Sequence, residues 1–223
     1  MQTDSPLLGA HGTLASLNAG RVRTGAGYPA IGSAIDKRPV EARVRLTAAG
    51  IDRDTQADQR VHGGADQAVY AYALEDLRWW AGQLAAELTS GPHPGQFGEN
   101  LTTIGADVTG AVVGERWRVG TAELEVSSPR IPCQTFAAWM GVRGWVKRFT
   151  DAGRPGAYLR VVVDGECGMG DDIVVLSRPA HGVTIADVFA ATMRDPSLLA
   201  RVVAAPELPE RLRAKLAARL PAR

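Results

Sequence analysis

Short segments in which apolar and polar residues alternate constrain this chain more than any other feature. Across 122–126 the apolar residues Ala122, Leu124 and Val126 share one face, and Val40, Ala42, Val44 and Leu46 do the same across 40–46. A period of two places alternate side chains on opposite faces of an extended strand. Residues 13–17, 68–73, 159–163 and 173–176 are further short apolar runs, most of them rich in branched or aromatic side chains, which predicts strands. With 25 Gly and 13 Pro among 223 residues, turn formers are frequent enough to connect many short strands. The pattern predicts a mainly β body, closed or strongly curved, with inserted helices. Residues 74–88 form the clearest helix, because Leu77, Trp80, Leu84 and Leu88 recur at helical spacing and Gly91-Pro92 ends it. A second helical stretch over 136–149 is interrupted near Gly141 and Gly144.

The character changes near the end, which divides the chain into a body over 1–180 and a tail over 181–223. Thr184 and Asp187 have the spacing of a capping box, with Asp in place of the usual Glu. Ile185, Val188, Phe189 and Met193 follow at helical spacing. Asp195-Pro196 supplies a second N-cap and a first-turn proline. Pro209 opens a third helix with Leu212, Leu216 and Leu220 four residues apart. Helices this short are marginal alone in water, so the three must pack on one another or on something else.

Composition removes several classes. The 25 basic and 24 acidic residues leave a formal net charge of +1, which argues against nucleic-acid binding through a global basic surface. The balance is uneven, because a basic early segment and a basic tail flank an acidic body. Cys133 and Cys167 are the only cysteines, too few for a disulfide framework or a four-cysteine zinc site. The amino terminus lacks the basic and apolar regions of a secretory signal, and no apolar run reaches the roughly 18 residues of a membrane span. A cytoplasmic protein with no membrane partner is expected.

Three segments carry chemistry. In Gln59-Arg60-Val61-His62-Gly63-Gly64, adjacent glycines let backbone approach a ligand while Arg60 and His62 offer donors; a solvated turn is the plain alternative. In Phe97-Gly98-Glu99-Asn100-Leu101, Asn100 has both a donor and an acceptor suited to the edge of a heterocycle, although Asn in a turn commonly bonds its own backbone. In Ser127-Ser128-Pro129-Arg130-Ile131-Pro132-Cys133, two prolines stiffen the loop, and Arg130 stands three residues before a thiol that can act as nucleophile or soft-metal ligand. A lone Cys is otherwise a small buried hydrophobe, the reading that suits Cys167. Nucleophile-elbow, Walker A and zinc-protease motifs are absent, and the four histidines are scattered.

Together with Lys37-Arg38-Pro39-Val40, these segments occur in the order seen in MOSC domains (molybdenum cofactor sulfurase C-terminal domains). Gly114-Glu115 and Gly168-Met169-Gly170-Asp171 also resemble that family, and the tail resembles the three-helix appendage of its bacterial YiiM-like branch. The resemblance implies a MOSC-type β-barrel over 1–180 that binds molybdenum cofactor (molybdopterin), followed by a small three-helix appendage over 181–223. In relatives such as the mitochondrial amidoxime-reducing component, the matching cysteine is the single protein ligand to molybdenum, which makes Cys133 the implied metal ligand and catalytic residue. Lys37, Arg60, His62, Asn100 and Arg130 are the implied cofactor-binding residues. At Gly156-Ala157-Tyr158 the chain departs from the Gly-Trp type of pattern common in relatives.

The implied activity is an oxidoreductase reaction, the reduction of N-hydroxylated small molecules such as hydroxylaminopurines or amidoximes. The implied partner is an external flavin or iron–sulfur reductase, with no nucleic-acid polymer bound and a homodimer left open. A sulfur carrier in cofactor maturation, or a cofactor-storage module, are the alternative classes. Pyridoxal phosphate, which belongs to the desulfurase domain fused to some relatives, has no supporting motif in this chain.

Overall fold

The computed structural model describes residues 10–25, 32–55, 63–88 and 91–221. Eleven strands are present among them: β1 (Ala10–Ala19), β2 (Arg38–Pro39), β3 (Val44–Thr47), β4 (Gly50–Ile51), β5 (Val69–Ala73), β6 (Leu101–Ile104), β7 (Arg116–Val119), β8 (Ala122–Pro129), β9 (Ala157–Val163), β10 (Gly165–Cys167) and β11 (Asp172–Ser177). The helices are α1 (Leu74–Gln83), α2 (Gln134–Met140), α3 (Trp145–Ala152), α4 (Ile185–Met193), α5 (Leu199–Val203) and α6 (Glu210–Ala217). The main sheet runs β11-β7-β8-β9-β5-β6-β1, and pairing of β1 with β11 closes these seven strands into a barrel. β2 adds to β1, while β10, β3 and β4 form a small second sheet. The one parallel pair of the barrel is β5 with β6, and α1 is the crossover such a pair requires.

Period-two alternation sorts the apolar residues into two layers. Val69, Ala71 and Ala73 of β5 join Leu101, Leu124, Val126, Leu159 and Ile173 in one cluster, the barrel interior. Tyr70 and Tyr72, the intervening residues, face the other way into a cluster with Trp80, Phe97, Phe136, Trp145, Phe149 and Phe189. All five residues of β5 are therefore buried. Small residues such as Ala71, Ala122 and Ala157 suit the interior of a narrow barrel. The buried tyrosine and tryptophan tips mostly find partners: Tyr70 Oη donates to Pro155 O at 2.7 Å, Tyr72 Oη to Arg154 O at 2.9 Å, and Trp80 Nε1 to Tyr72 Oη at 2.9 Å.

The sequence-predicted strands and helices are present, with shifted ends. α1 stops at Gln83, but a turn that follows keeps Leu84 fully buried and Leu88 against the same aromatic cluster, so the helical spacing continues past the helix itself. The alternating run 40–46 is not one strand: Val40 donates to Leu17 O of β1 at 2.8 Å, just after β2, only Val44–Leu46 pair with β10, and Ala42 between them is exposed. β8 runs on through Pro129, because Ser128 and Pro129 still pair with Tyr158 and Ala157 of β9. Gly141 and Gly144, at φ of 63° and 70°, separate α2 from α3 in the left-handed conformation that favours glycine. Among the described residues, no helix is long and apolar enough to cross a membrane.

The tail opens with the capping box read from sequence, Thr184 Oγ1 accepting from Asp187 N at 3.1 Å and Asp187 Oδ2 from Thr184 N at 3.0 Å. Its apolar residues extend both layers. Ile185, Val188, Leu199, Val202 and Leu216 join the barrel cluster, and Phe189 meets Phe149 of α3 edge-on at 6.2 Å. Arg160 of β9 adds a polar tie, donating from both Nη atoms to Glu207 O at 3.2 Å. Removing a buried Phe costs roughly 3–5 kcal/mol. Phe189→Ala is expected to lower stability by about that much in a single urea transition followed by tryptophan fluorescence and circular dichroism; loss of the tail signal alone would contradict a shared core.

Candidate cofactor site

Of the sequence-predicted residues, Lys37, Asn100, Arg130 and Cys133 are among those the structure describes, and they lie near the start of β2 and β6 and the end of β8. Asn100 immediately precedes β6, and its side chain is fully engaged: Oδ1 accepts from Tyr70 N at 3.1 Å, and Nδ2 donates to Asn18 O at 3.2 Å and Asp54 Oδ2 at 2.9 Å. It thus bonds across the fold rather than to its own turn. Asp54 also accepts from Gly20 N at 2.8 Å and forms an ion pair with Lys37. Both partners of that pair are buried, with side-chain exposures of 9% for Lys37 and 6% for Asp54. Burial holds the Lys37 ammonium below its ordinary range, Asp54 opposes that, and Arg130 adds to it.

Arg130 follows β8 and enters an aromatic slot. Its guanidinium carbon lies 4.5 Å from the Phe136 ring centre and 5.1 Å from that of Tyr70. Nη1 donates to Tyr158 Oη at 3.3 Å, while Nε is sealed from solvent and has no hydrogen-bond partner among the described residues. Among the described residues, no carboxylate stands within ion-pair distance of it. Cys133 is half-buried at the N-cap of α2, packed against the aromatic cluster that includes Phe136, and close enough to Arg130 for its charge to act there.

The Gly95–Asn100 turn joins these parts. A Cβ on Gly95 would come within 2.4 Å of Lys37 O, and one on Gly98 within 3.1 Å of Ile35 Cγ1 and 3.6 Å of Arg130 Nη1. Both glycines also have positive φ, 87° and 78°. Trp139 of α2 donates from Nε1 to Gln96 O at 2.7 Å, tying the turn to the helix that begins after Cys133. Beneath it Glu99 is wholly buried, accepting from Gly95 N at 2.6 Å, Thr102 Oγ1 at 2.9 Å and Phe97 N at 3.0 Å.

Sequence reasoning placed Lys37, Asn100, Arg130 and Cys133 among the site residues, and the structure brings the first three into one electrostatic neighbourhood with Cys133 adjoining. Arg60 and His62 lie outside the described residues. Asp54, Glu99, Tyr70, Phe136 and Tyr158 were missed as members. Asp54 has no signal in its charged turn, whereas Glu99 sits inside the glycine-flanked motif that pointed to Asn100. Among the described residues, no group of three or more His, Cys, Asp or Glu is placed to hold a metal ion. A separate cleft of about 470 Å³, lined by Glu75, Asp76, Asp107, Thr109 and Arg154 among others, contains none of the sequence-predicted residues.

Burial pushes the Glu99 carboxyl from 4.5 up to about 7, against the pull of the donors from Gly95, Phe97, Thr102 and its own backbone N–H. The native state therefore holds this proton where the unfolded chain has released it. The contribution to stability is fully present below 4.5 and is lost as pH rises through about 7, a swing on the order of 3 kcal/mol. Urea unfolding of wild type and Glu99→Gln across that window is expected to show wild type losing stability relative to the variant as pH rises. A difference constant with pH would contradict the assignment.

The MOSC domain family model matches residues 58–174. The chain is 31% identical to the protein YiiM of Escherichia coli over 166 residues, covering 74% of this chain and 72% of that protein. It is 32% identical over 174 residues to a protein named "Reductase" from Gibberella moniliformis, covering 75% of this chain but only 30% of that longer protein. The crystal structure of YiiM from Geobacillus stearothermophilus superposes with a TM-score of 0.77 at 25% identity, covering 94% of this chain and all of that one. With a family model spanning more than half the chain, YiiM relatives in both sequence and structure, and a seven-strand barrel carrying added helices, this protein belongs to the MOSC domain family, on its YiiM-like branch.

Proposed function

We propose that the protein is a molybdenum-cofactor-dependent oxidoreductase that reduces N-hydroxylated small molecules, hydroxylaminopurines and amidoximes among them. MOSC domains are associated with the molybdenum cofactor, and one relative is named a reductase. The observation that carries the reading is Arg130: a permanent cation whose sealed Nε has no hydrogen-bond partner among the described residues, placed against two rings three residues before a half-buried thiol. A donor set of this kind suits a phosphorylated pterin, whose phosphate needs cationic donors and whose metal needs one soft ligand from protein.

The chain's residues then divide the work. Arg130 and Lys37 hold the anionic part of the cofactor, with Asp54 and Asn100 fixing the Lys37 ammonium. Cys133 supplies a thiolate to the metal, and the stiff Pro129–Pro132 segment fixes where that sulfur points. The aromatic layer of Tyr70, Phe97 and Phe136 keeps water from the floor of the site. When bound, the cofactor supplies two-electron redox chemistry. The overall conversion consumes two electrons and two protons, breaks the N–O bond and releases water; an external flavin or iron–sulfur protein delivers the electrons.

Cys133→Ala tests this directly. Molybdenum content of the purified protein and reduction of a hydroxylaminopurine with an artificial electron donor are expected to fall together, by more than the roughly 10–100-fold typical of outer-shell changes. Undiminished metal and turnover would overturn the assignment. A sulfur-mass adduct on Cys133 in protein without molybdenum would replace it with sulfur transfer.

A further inference from the structure

Glu99 is a wholly buried carboxylate beneath the Gly95–Asn100 turn. The partners of its carboxylate among the described residues are donors, Gly95 N, Phe97 N, Thr102 Oγ1 and its own backbone N–H, an arrangement that accepts a carboxylate. Thr102 in turn accepts from Asn18 Nδ2 at 2.9 Å, and Asn18 Oδ1 accepts from Ser16 Oγ at 2.8 Å, so the network is anchored in β1. The charged groups that feel Glu99 come from the elements around it: Lys37 from the segment preceding β2, and Arg130 from the segment that follows β8. Tyr70 and Tyr72 face it from β5, and burial holds both phenols well above their ordinary range, so they stay neutral. Asp54 acts from one step further, through Lys37.

These groups form a near-closed balance. Among the described residues, with Glu99 ionised, two cations, Lys37 and Arg130, are matched by two carboxylates, Asp54 and Glu99. With Glu99 protonated, one positive charge is surplus, and it lies where Arg130 has donor capacity left. In a site of low local dielectric, such a change in a neighbouring charge alters anion affinity substantially.

We propose that Glu99 sets the anion affinity of this pocket: an anion drawn to Arg130 and a proton on Glu99 favour one another, so that anion binding takes up a proton. The inference rests on the anion-pocket part of the proposed function and is independent of the substrate. Burial places the Glu99 transition near neutral pH, where such coupling is measurable. Glu99 acts here as a positioning and charge-setting residue, since it touches protein groups only.

The experiment uses the full chain free of cofactor, with sulfate as the anion because its charge is constant across neutral pH. Calorimetry in two buffers of different ionisation heat reads the protons taken up per sulfate bound. Wild type is expected to take up a fraction of a proton and to lose sulfate affinity roughly five- to tenfold as pH rises through about 7. Glu99→Gln is expected to bind sulfate without proton uptake and with little pH dependence. Thr102→Val, which removes one donor to the carboxylate, is expected to move the transition to higher pH and serves where Glu99→Gln does not fold. Sulfate binding without proton uptake in wild type, uptake that persists in Glu99→Gln, or an unmoved transition in Thr102→Val would each overturn the role of Glu99 while leaving the anion pocket standing. Wild type that binds sulfate no better than Arg130→Gln would overturn the pocket, and this inference with it.

Discussion

A guanidinium stays charged at any pH a protein meets, so one that is drawn into an aromatic slot must be compensated by its surroundings or by a ligand. Arg130 is in that position. Two rings lie against it, one phenol accepts from it, and its sealed Nε has no partner among the described residues. The rest of the site is organised around that fact. Burial lowers the proton affinity of Lys37 and the charge of Arg130 adds to that, Asn100 holds the Asp54 carboxylate that pairs with Lys37, and Glu99 supplies a buried counter-charge once it ionises. The concentration of positive charge beside a half-buried thiol is a structural cost in an empty protein and an asset in one that holds an anionic, metal-bearing ligand.

The barrel provides the platform because β5 is buried on both sides. Its inner residues, Val69, Ala71 and Ala73, complete the barrel interior, and its outer residues, Tyr70 and Tyr72, begin the aromatic layer on which Arg130 lies. The same tyrosines hold the segment that leads into β9 through bonds to Arg154 O and Pro155 O. Rigidity at the site therefore derives from the packing of a single strand. Both layers continue into the tail, where Ile185 and Val188 extend the interior and Phe189 extends the aromatic side.

Much of this was legible in the sequence, for identifiable reasons. β8 declares itself by alternation and β9 by a short branched-rich apolar run, and the Thr184–Asp187 box declares itself because its geometry is local. The ligand candidates Arg130 and Cys133 stood out because prolines and a cation surround a thiol. What could not be read is what depends on distant partners. The run 40–46 alternates like one strand, yet only Val44–Leu46 pair as one, with β10, while Val40 bonds back to Leu17 of β1. Asp54 becomes a hub only when folding brings Lys37, Asn100 and Gly20 to it. Glu99 looked like one polar residue of a turn, and its weight comes from complete burial. Tyr158, noticed only as a departure from the family pattern, turns out to be the hydrogen-bond partner of Arg130.

The central claim is that Cys133 binds the metal of a cofactor whose anionic part is held by Arg130. X-ray absorption at the molybdenum edge, on wild type and Cys133→Ser purified with their metal, addresses it most directly. The account predicts a sulfur shell in wild type that contains one scatterer more than in the variant. An identical sulfur shell in two fully loaded proteins would contradict it.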